Sequence, residues 1–505
     1  MKKSIGLFLC LSLTVLLGGF MMINPVAATA AQTLNFALRG NPDTLDPQKT
    51  SGTLTFQTLK SVYDTLVEPD MSGKIVPALA EKWEVSDDAL TWTFYLRNDV
   101  VFHNGDKLTS KDVKATLDRI RDKTTASPKA KEFNAITAIE TPDDYTVILK
   151  LKEPASPLLA TLASGWSAIL PKGPIDSSHD FGNQPIGTGP FALKEWIRDS
   201  KIVLTKNKNY WMKGHPKLDE VIMYIIPERA VTVQGLISGQ LDVAYLIEKD
   251  DLPNLEASQD VKIEKSMSSL ILVMSINCSN PVLKDLRVRQ AINLSIDKQK
   301  VLDVAYNGGK PIGTFMDYGN AYYEDFTALY PYDPEKARAL LAEAGVGQDT
   351  VFELFLPQNY EVHVKAGEMY QDMLTKVGLN VKIKLVDWST WISDVYRGGK
   401  YDLTVIGHTG KLDPDGTLAG YGTKDRYVRW INPRAAELID EARKVSGFEN
   451  RKKLYDEVLK IMAEEVPFMY LGTSYQLTAV RKNVSDFRMT PILDTFDFRW
   501  TTITQ

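Results

Sequence analysis

The chain has 505 residues, of which 44% are hydrophobic and 24% charged, the makeup of a globular protein too long for a single core. A net charge of −5, with no basic stripe anywhere, argues against nucleic acid as a partner. Its two cysteines, Cys10 and Cys278, are too few for a disulfide framework.

At the start, Lys2 and Lys3 precede an apolar stretch from Ile5 to Ile23, which Asn24-Pro25 ends and the small-x-small triplet Ala28-Thr29-Ala30 follows. This is the pattern of an export signal cleaved near Ala30, so residues 1–30 are expected to leave the mature chain. The apolar run is long enough to stay as a membrane anchor, and the cleavage triplet decides against that. Cys10 lies in mid-run rather than at its end, so no lipid anchor is expected. A first strand over residues 33–38 leads into the turn-rich loop 41–47, with Asn41-Pro42 and Asp46-Pro47.

Residues 78–113 then read as strand, turn, strand, turn and helix. Trp92, Phe94 and Leu96 alternate with Thr91, Thr93 and Tyr95, the period of a half-buried strand. Asn104-Gly105 marks a turn. Thr109, with Asp112 three residues on, opens a helix whose face is Val113, Leu117 and Ile120. Further on, Gly187-Thr188-Gly189-Pro190 resembles a phosphate cradle in its glycines only. No Gly-Lys-Ser/Thr follows and a strand comes next, so a structural turn is expected. A helix over residues 229–238 should end at Gly239. Cys278 follows the strand-like run 271–277 and is expected to be a small buried residue. Asp333 caps a helix that begins Pro334-Glu335, buries Ala337, Leu340, Leu341 and Ala344, and ends at Gly345. The last helix, residues 450–465, sets Leu454, Val458, Ile461 and Met462 on one face and stops at Val466-Pro467.

The residues of an enzyme are not assembled in any known spacing. The five histidines, His103, His179, His215, His363 and His408, lack metal-ligand spacing, and there is no C-x-x-C, G-x-S-x-G or zinc-protease helix. Asp413 and Asp415, in Leu-Asp-Pro-Asp-Gly, read as turn residues. No catalytic group, metal or cofactor is expected. A secreted hydrolase stays open as the reading from a different class.

The block 78–113 resembles the signature of the extracytoplasmic solute-binding proteins of family 5, the dipeptide, oligopeptide and nickel receptors of ABC importers. Pro77, Leu79, Ala80, Trp83, Ser86, Asp88, Trp92, Phe94, Arg97, Phe102, His103, Gly105, Thr109 and Asp112 all match it. Gly187 to Phe191, Gly239 with Asp242, Arg289 with Asp297, Asp333-Pro334 and Tyr401-Asp402 match later family motifs, so the resemblance spans the mature chain. It implies an α/β fold of the type II periplasmic binding protein class, with two lobes, a hinge and an extra domain inserted in lobe I. Lobe I is expected at residues 31–71, 182–270 and 478–505, the extra domain at 72–181 and lobe II at 271–477. The implied function is a monomeric periplasmic receptor that captures a peptide or peptide-like solute in the interlobe cleft. It would deliver that solute to the membrane subunits of an ABC permease and do no chemistry on it. Alternatives are the same role for a non-peptide anion, an opine or a sugar; nickel has little support.

The resemblance also places ligand contacts at Thr53, Leu54, Trp166, Tyr360 and Trp388, and in the loop bearing Gly407, His408, Lys411 and Asp413. Two of these depart from the family. His408 stands where relatives usually have tryptophan, and Lys411 where peptide receptors place an aspartate that pairs with the ligand's ammonium. A lysine there would repel an ammonium and attract a carboxylate. Residues 356–360 also lack the arginine that dipeptide receptors use for the ligand carboxylate.

Overall fold

Most strands pair into one large sheet and one of four strands, and two further two-stranded pairs complete the set among the described residues. The computed structural model describes residues 31–50, 52–489 and 495–504, so the expected export signal lies outside the described residues. Thr33–Leu38 buries Leu34, Phe36 and Leu38 and runs parallel to both Glu220–Ile225 and Val243–Tyr245. Lys201–Lys206 and Phe191–Ile197 extend this half antiparallel. In the other half, Val351–Pro357 runs parallel to Asn380–Val386 and to Leu403–Thr409, and Leu270–Ile276 pairs antiparallel with the latter. The 14-residue strand Phe468–Arg481 joins the halves. Its first part pairs with Leu270–Ile276 and its second with Val243–Tyr245 and Val261–Met267. The register slips at Leu272 and Val273, a bulge that bends the sheet near this passage.

The small sheet is antiparallel, in the order Ala80–Val85, Thr91–Leu96, Thr146–Leu151, Ile136–Asp143. The alternation read from the sequence is the burial that results: Trp92, Phe94 and Leu96 lie in its core, capped by Val113, Leu117 and Ile120 of the helix Ser110–Arg121. Asp112 accepts from the Thr109 N–H at 2.8 Å and hydroxyl at 2.7 Å, fixing the helix start. Gly187 and Gly189 press against the backbone at Val62, where a Cβ would come within 2.1 and 2.4 Å of main-chain atoms. The two glycines therefore permit close backbone approach. The chain's end returns to the first half, where the buried Arg499 pairs with Glu68 at 2.9 Å and Asp497 at 2.6 Å.

Helix Pro334–Glu343 starts as read: the Asp333 carboxylate accepts from the Lys336 N–H at 2.9 Å. Helix Phe448–Glu465 is rotated from the expected face. Arg451, Tyr455, Val458, Leu459 and Met462 are buried, while Leu454 and Ile461 are half-buried. Arg451 also turns inward, to the Asp413 carboxylate. Burial raises the Cys278 thiol to about 11, which makes it unreactive.

Candidate functional site

Three parallel strands of the second half end on one edge. Pro357 and Val386 are opposite each other in register, and Leu403–Thr409 runs alongside. In open α/β sheets, ligands lie outside the carboxyl ends of the strands. Beyond those ends the chain places Tyr360, Trp388 and the loop from Gly410 to Asp415.

The first two form an aromatic edge. Trp388 stacks on Trp391 with ring centres 4.9 Å apart and planes 3° from parallel. Tyr360 meets Trp388 edge-on at 5.3 Å. Trp391 is buried and donates from Nε1 to Thr404 Oγ1 at 2.9 Å, whereas Trp388 and Tyr360 remain 39% and 40% exposed. A buried indole thus holds a partly exposed one flat. Trp391 was missed in the sequence. The signal was there, since Trp388 and Trp391 are three apart in a helical turn and must lie side by side.

The loop after Leu403–Thr409 lines a cavity of about 460 Å³. One wall carries Lys411, Asp413, Asp415 and Arg443, and the other Lys129, Glu132, Thr161 and Trp166. The walls touch at the rim, where the Ser156 N–H donates to the Arg443 carbonyl at 3.1 Å and its hydroxyl to the Val445 carbonyl. Trp166 is buried against Phe56 at 4.4 Å and donates from Nε1 to the Thr50 carbonyl at 2.7 Å. The Lys129 ammonium sits 4.7 Å over its ring.

The protein holds several of the expected residues in contacts of its own. Both oxygens of Asp413 are held by the buried Arg451, at 2.5 and 2.8 Å, and Oδ1 also accepts from the Asp415 N–H at 2.9 Å. Asp413 is therefore ion-paired where it lines the cavity. The His408 imidazole turns toward an aromatic core: Nε2 bonds to the Tyr427 hydroxyl at 2.7 Å and its ring meets Phe315 at 5.1 Å. Burial and the nearby Arg426 charge hold it down at about 3, so it is neutral. Gly407 leaves room for Leu270, which a Cβ would approach within 2.8 Å. Leu54 packs half-buried on the first core. The backbone of Thr53 opens the helix Thr53–Leu59, and its side chain lies outside the described residues.

Lys411 stands apart. Its carbonyl accepts from Asn320 Nδ2 at 2.7 Å, and its stem lies against Gly416, where a Cβ would come within 3.0 Å. Its ammonium has no hydrogen-bond or ion-pair partner among the described residues. Burial, and next the charge of Lys129, push it below the usual lysine range, against a weaker pull from Glu132. Lys129 and Arg451 were also missed, because only the fold brings them to this loop. Among the described residues no cluster of three or more His, Cys, Asp or Glu could hold a metal ion, and no helix is long and apolar enough to cross a membrane.

Residues 74–427 match the bacterial extracellular solute-binding proteins, family 5 Middle. The di/tripeptide-binding protein 1 of Pseudomonas aeruginosa (strain UCBPP-PA14) is 30% identical over 94% of this chain and 95% of its own. Among solved structures, AgaA in complex with agropinic acid, from A. tumefaciens R10, is 31% identical with a TM-score of 0.74, covering 94% of this chain and 99% of that one. HbpA2 from Haemophilus parasuis is 26% identical with a TM-score of 0.85, covering 94% and 100%. The two-lobed α/β fold expected from the sequence is the fold of these neighbours.

Proposed function

As the chain belongs to the bacterial extracellular solute-binding proteins of family 5, we propose that it captures a peptide or peptide-like solute in its interlobe cleft and delivers it to an ABC permease. The observation that supports this is the cavity between two walls beyond the carboxyl end of one parallel strand; beyond the end of another in the same sheet, an exposed indole is held flat by a buried one. Such a site has what a receptor needs, an apolar face and a few oriented polar groups. Closure by hinge motion about Phe468–Arg481 would sequester the solute. Trp388, Tyr360, Trp166 and Lys411 are the side chains assigned to touch it; Asp413 and His408 hold the loop. No bond of the solute is made or broken, and ATP is hydrolysed by other subunits. The mature protein works as a periplasmic monomer after loss of residues 1–30.

A second reading, capture of a non-peptide anion such as an opine, is supported by the unpaired Lys411 and by the likeness to AgaA, whose structure holds agropinic acid. A thermal-shift screen of ligand-stripped protein tests both. A true ligand at about 100 times its dissociation constant adds about 2.7 kcal/mol, a clear rise in melting temperature. No rise with peptides, opines, other carboxylates or sugars contradicts the receptor reading.

A further inference from the structure

The cavity between the two walls is lined by eight charged side chains, Lys129, Lys131, Glu132, Glu153, Lys411, Asp413, Asp415 and Arg443. Nearly all are matched within the protein. Lys129 pairs with Glu132, Asp413 with Arg451, Asp415 with Arg443 at 2.9 Å, and Glu153 with Lys152 at 3.5 Å. Lys131 is exposed to solvent. Lys411 alone is half-buried and without a counter-charge among the described residues.

Burying an ammonium with no partner is unfavourable, and a second ammonium, on Lys129, faces the same space. The loop nevertheless holds Lys411 in place. Asp413 and Asp415 are clamped on Arg451 and Arg443, the Lys411 carbonyl is fixed by Asn320, and Gly416 opens the groove in which its stem lies. A rigid frame around one unmatched charge is an incomplete ion pair. An anion entering the cavity would complete it and would also relieve the repulsion between the two lysines.

We propose that Lys411 is the anchor for a carboxylate of the solute, so that the receptor selects acids and discriminates against cationic ends. This rests on the receptor function proposed for the chain and narrows it: an acidic peptide and an opine share the group that Lys411 would hold. Lys129 contributes from the opposite wall, so the anion bridges the two walls of the cleft.

The test uses the processed full chain and matched probes: alanyl-phenylalanine, its N-acetyl derivative, its C-terminal amide, and agropinic acid. Calorimetry should show the acetylated acid binding at least as well as the parent, and the amide weaker by about tenfold or more. Lys411→Gln should weaken the acids by about the same factor and leave the amide unchanged, while Lys411→Arg, which keeps the charge, should preserve the preference for acids. An amide that binds as tightly as the acid overturns the proposal. So does Lys411→Gln with unchanged affinity for the acids, or Lys411→Arg losing the preference as fully as Lys411→Gln does. If agropinic acid alone binds, the solute is an opine-like acid; if the peptide acids alone bind, it is a peptide. If no probe binds, native mass spectrometry after equilibration with a small-molecule cell extract decides. An acid retained by the wild type and lost by Lys411→Gln supports the proposal, and a neutral or cationic compound overturns it. Nothing retained at all contradicts the receptor reading itself.

Discussion

The loop after Leu403–Thr409 and the aromatic edge after Asn380–Val386 occupy equivalent places, at the carboxyl ends of the two parallel strands that flank Val351–Pro357, and are held by opposite means. The loop is pinned by charge: Arg451 on Asp413 and Arg443 on Asp415. The edge is pinned by stacking: Trp388 on Trp391, which is itself buried and hydrogen-bonded. In both, a buried group fixes an exposed one. The difference lies in what is left to offer a solute, an unmatched ammonium in the loop and a flat apolar face at the edge. In the proposed receptor one would read charge and the other shape, and mutations should separate them.

The largest expected effect is on the charged side. Asp413→Ala leaves Arg451 buried without its partner and should lower unfolding free energy by about 3–5 kcal/mol in chemical denaturation. A loss under about 1 kcal/mol would mean that the pair does not pin the loop. At the edge, Trp388→Ala should cost only about 0.5–1.5 kcal/mol of stability, because Trp388 is already partly exposed, yet it should weaken solute binding about tenfold or more. Equal binding by Trp388→Ala and wild type would remove the aromatic edge from the site. Gly187→Ala lies in neither region; its clash with Val62 should destabilise by about 1–3 kcal/mol with solute affinity unchanged.

The last effect is on acid stability. Burial holds His408 at about 3 and His363 at about 4, below the unfolded value near 6.5. The unfolded chain therefore takes up these protons first. The stability their neutral forms contribute is complete above about pH 6.5 and is lost as pH falls toward 4 and 3. Melting temperature should decline over that window, and His408→Asn should flatten part of the decline. An unchanged slope would show that the imidazole is not held neutral by the Tyr427 side of the core.

Much of the fold was legible because its signals are local. The alternation from Thr91 to Leu96, the Thr109–Asp112 cap and the Asp333-Pro334 helix start all depend on neighbours within a few residues. The last helix was legible in extent and not in rotation, and its Arg451 turns inward to a carboxylate outside the helix. The site divides in the same way. Lys411, Trp388 and Tyr360 came from the family resemblance, and the stack on Trp391 could have been read from its spacing. That Asp413 would be engaged by Arg451, that His408 would turn to Tyr427, and that Lys129 would share a cavity with Lys411 are contacts between distant segments, which no short pattern encodes.

The measurement that goes most directly to the central claim is small-angle X-ray scattering of the processed protein with and without a ligand found by calorimetry, with product analysis on the same sample. The account predicts one-to-one binding, a smaller radius of gyration on binding as the lobes close, and the solute recovered unaltered. An unchanged radius with the solute chemically converted would contradict it and favour the secreted hydrolase.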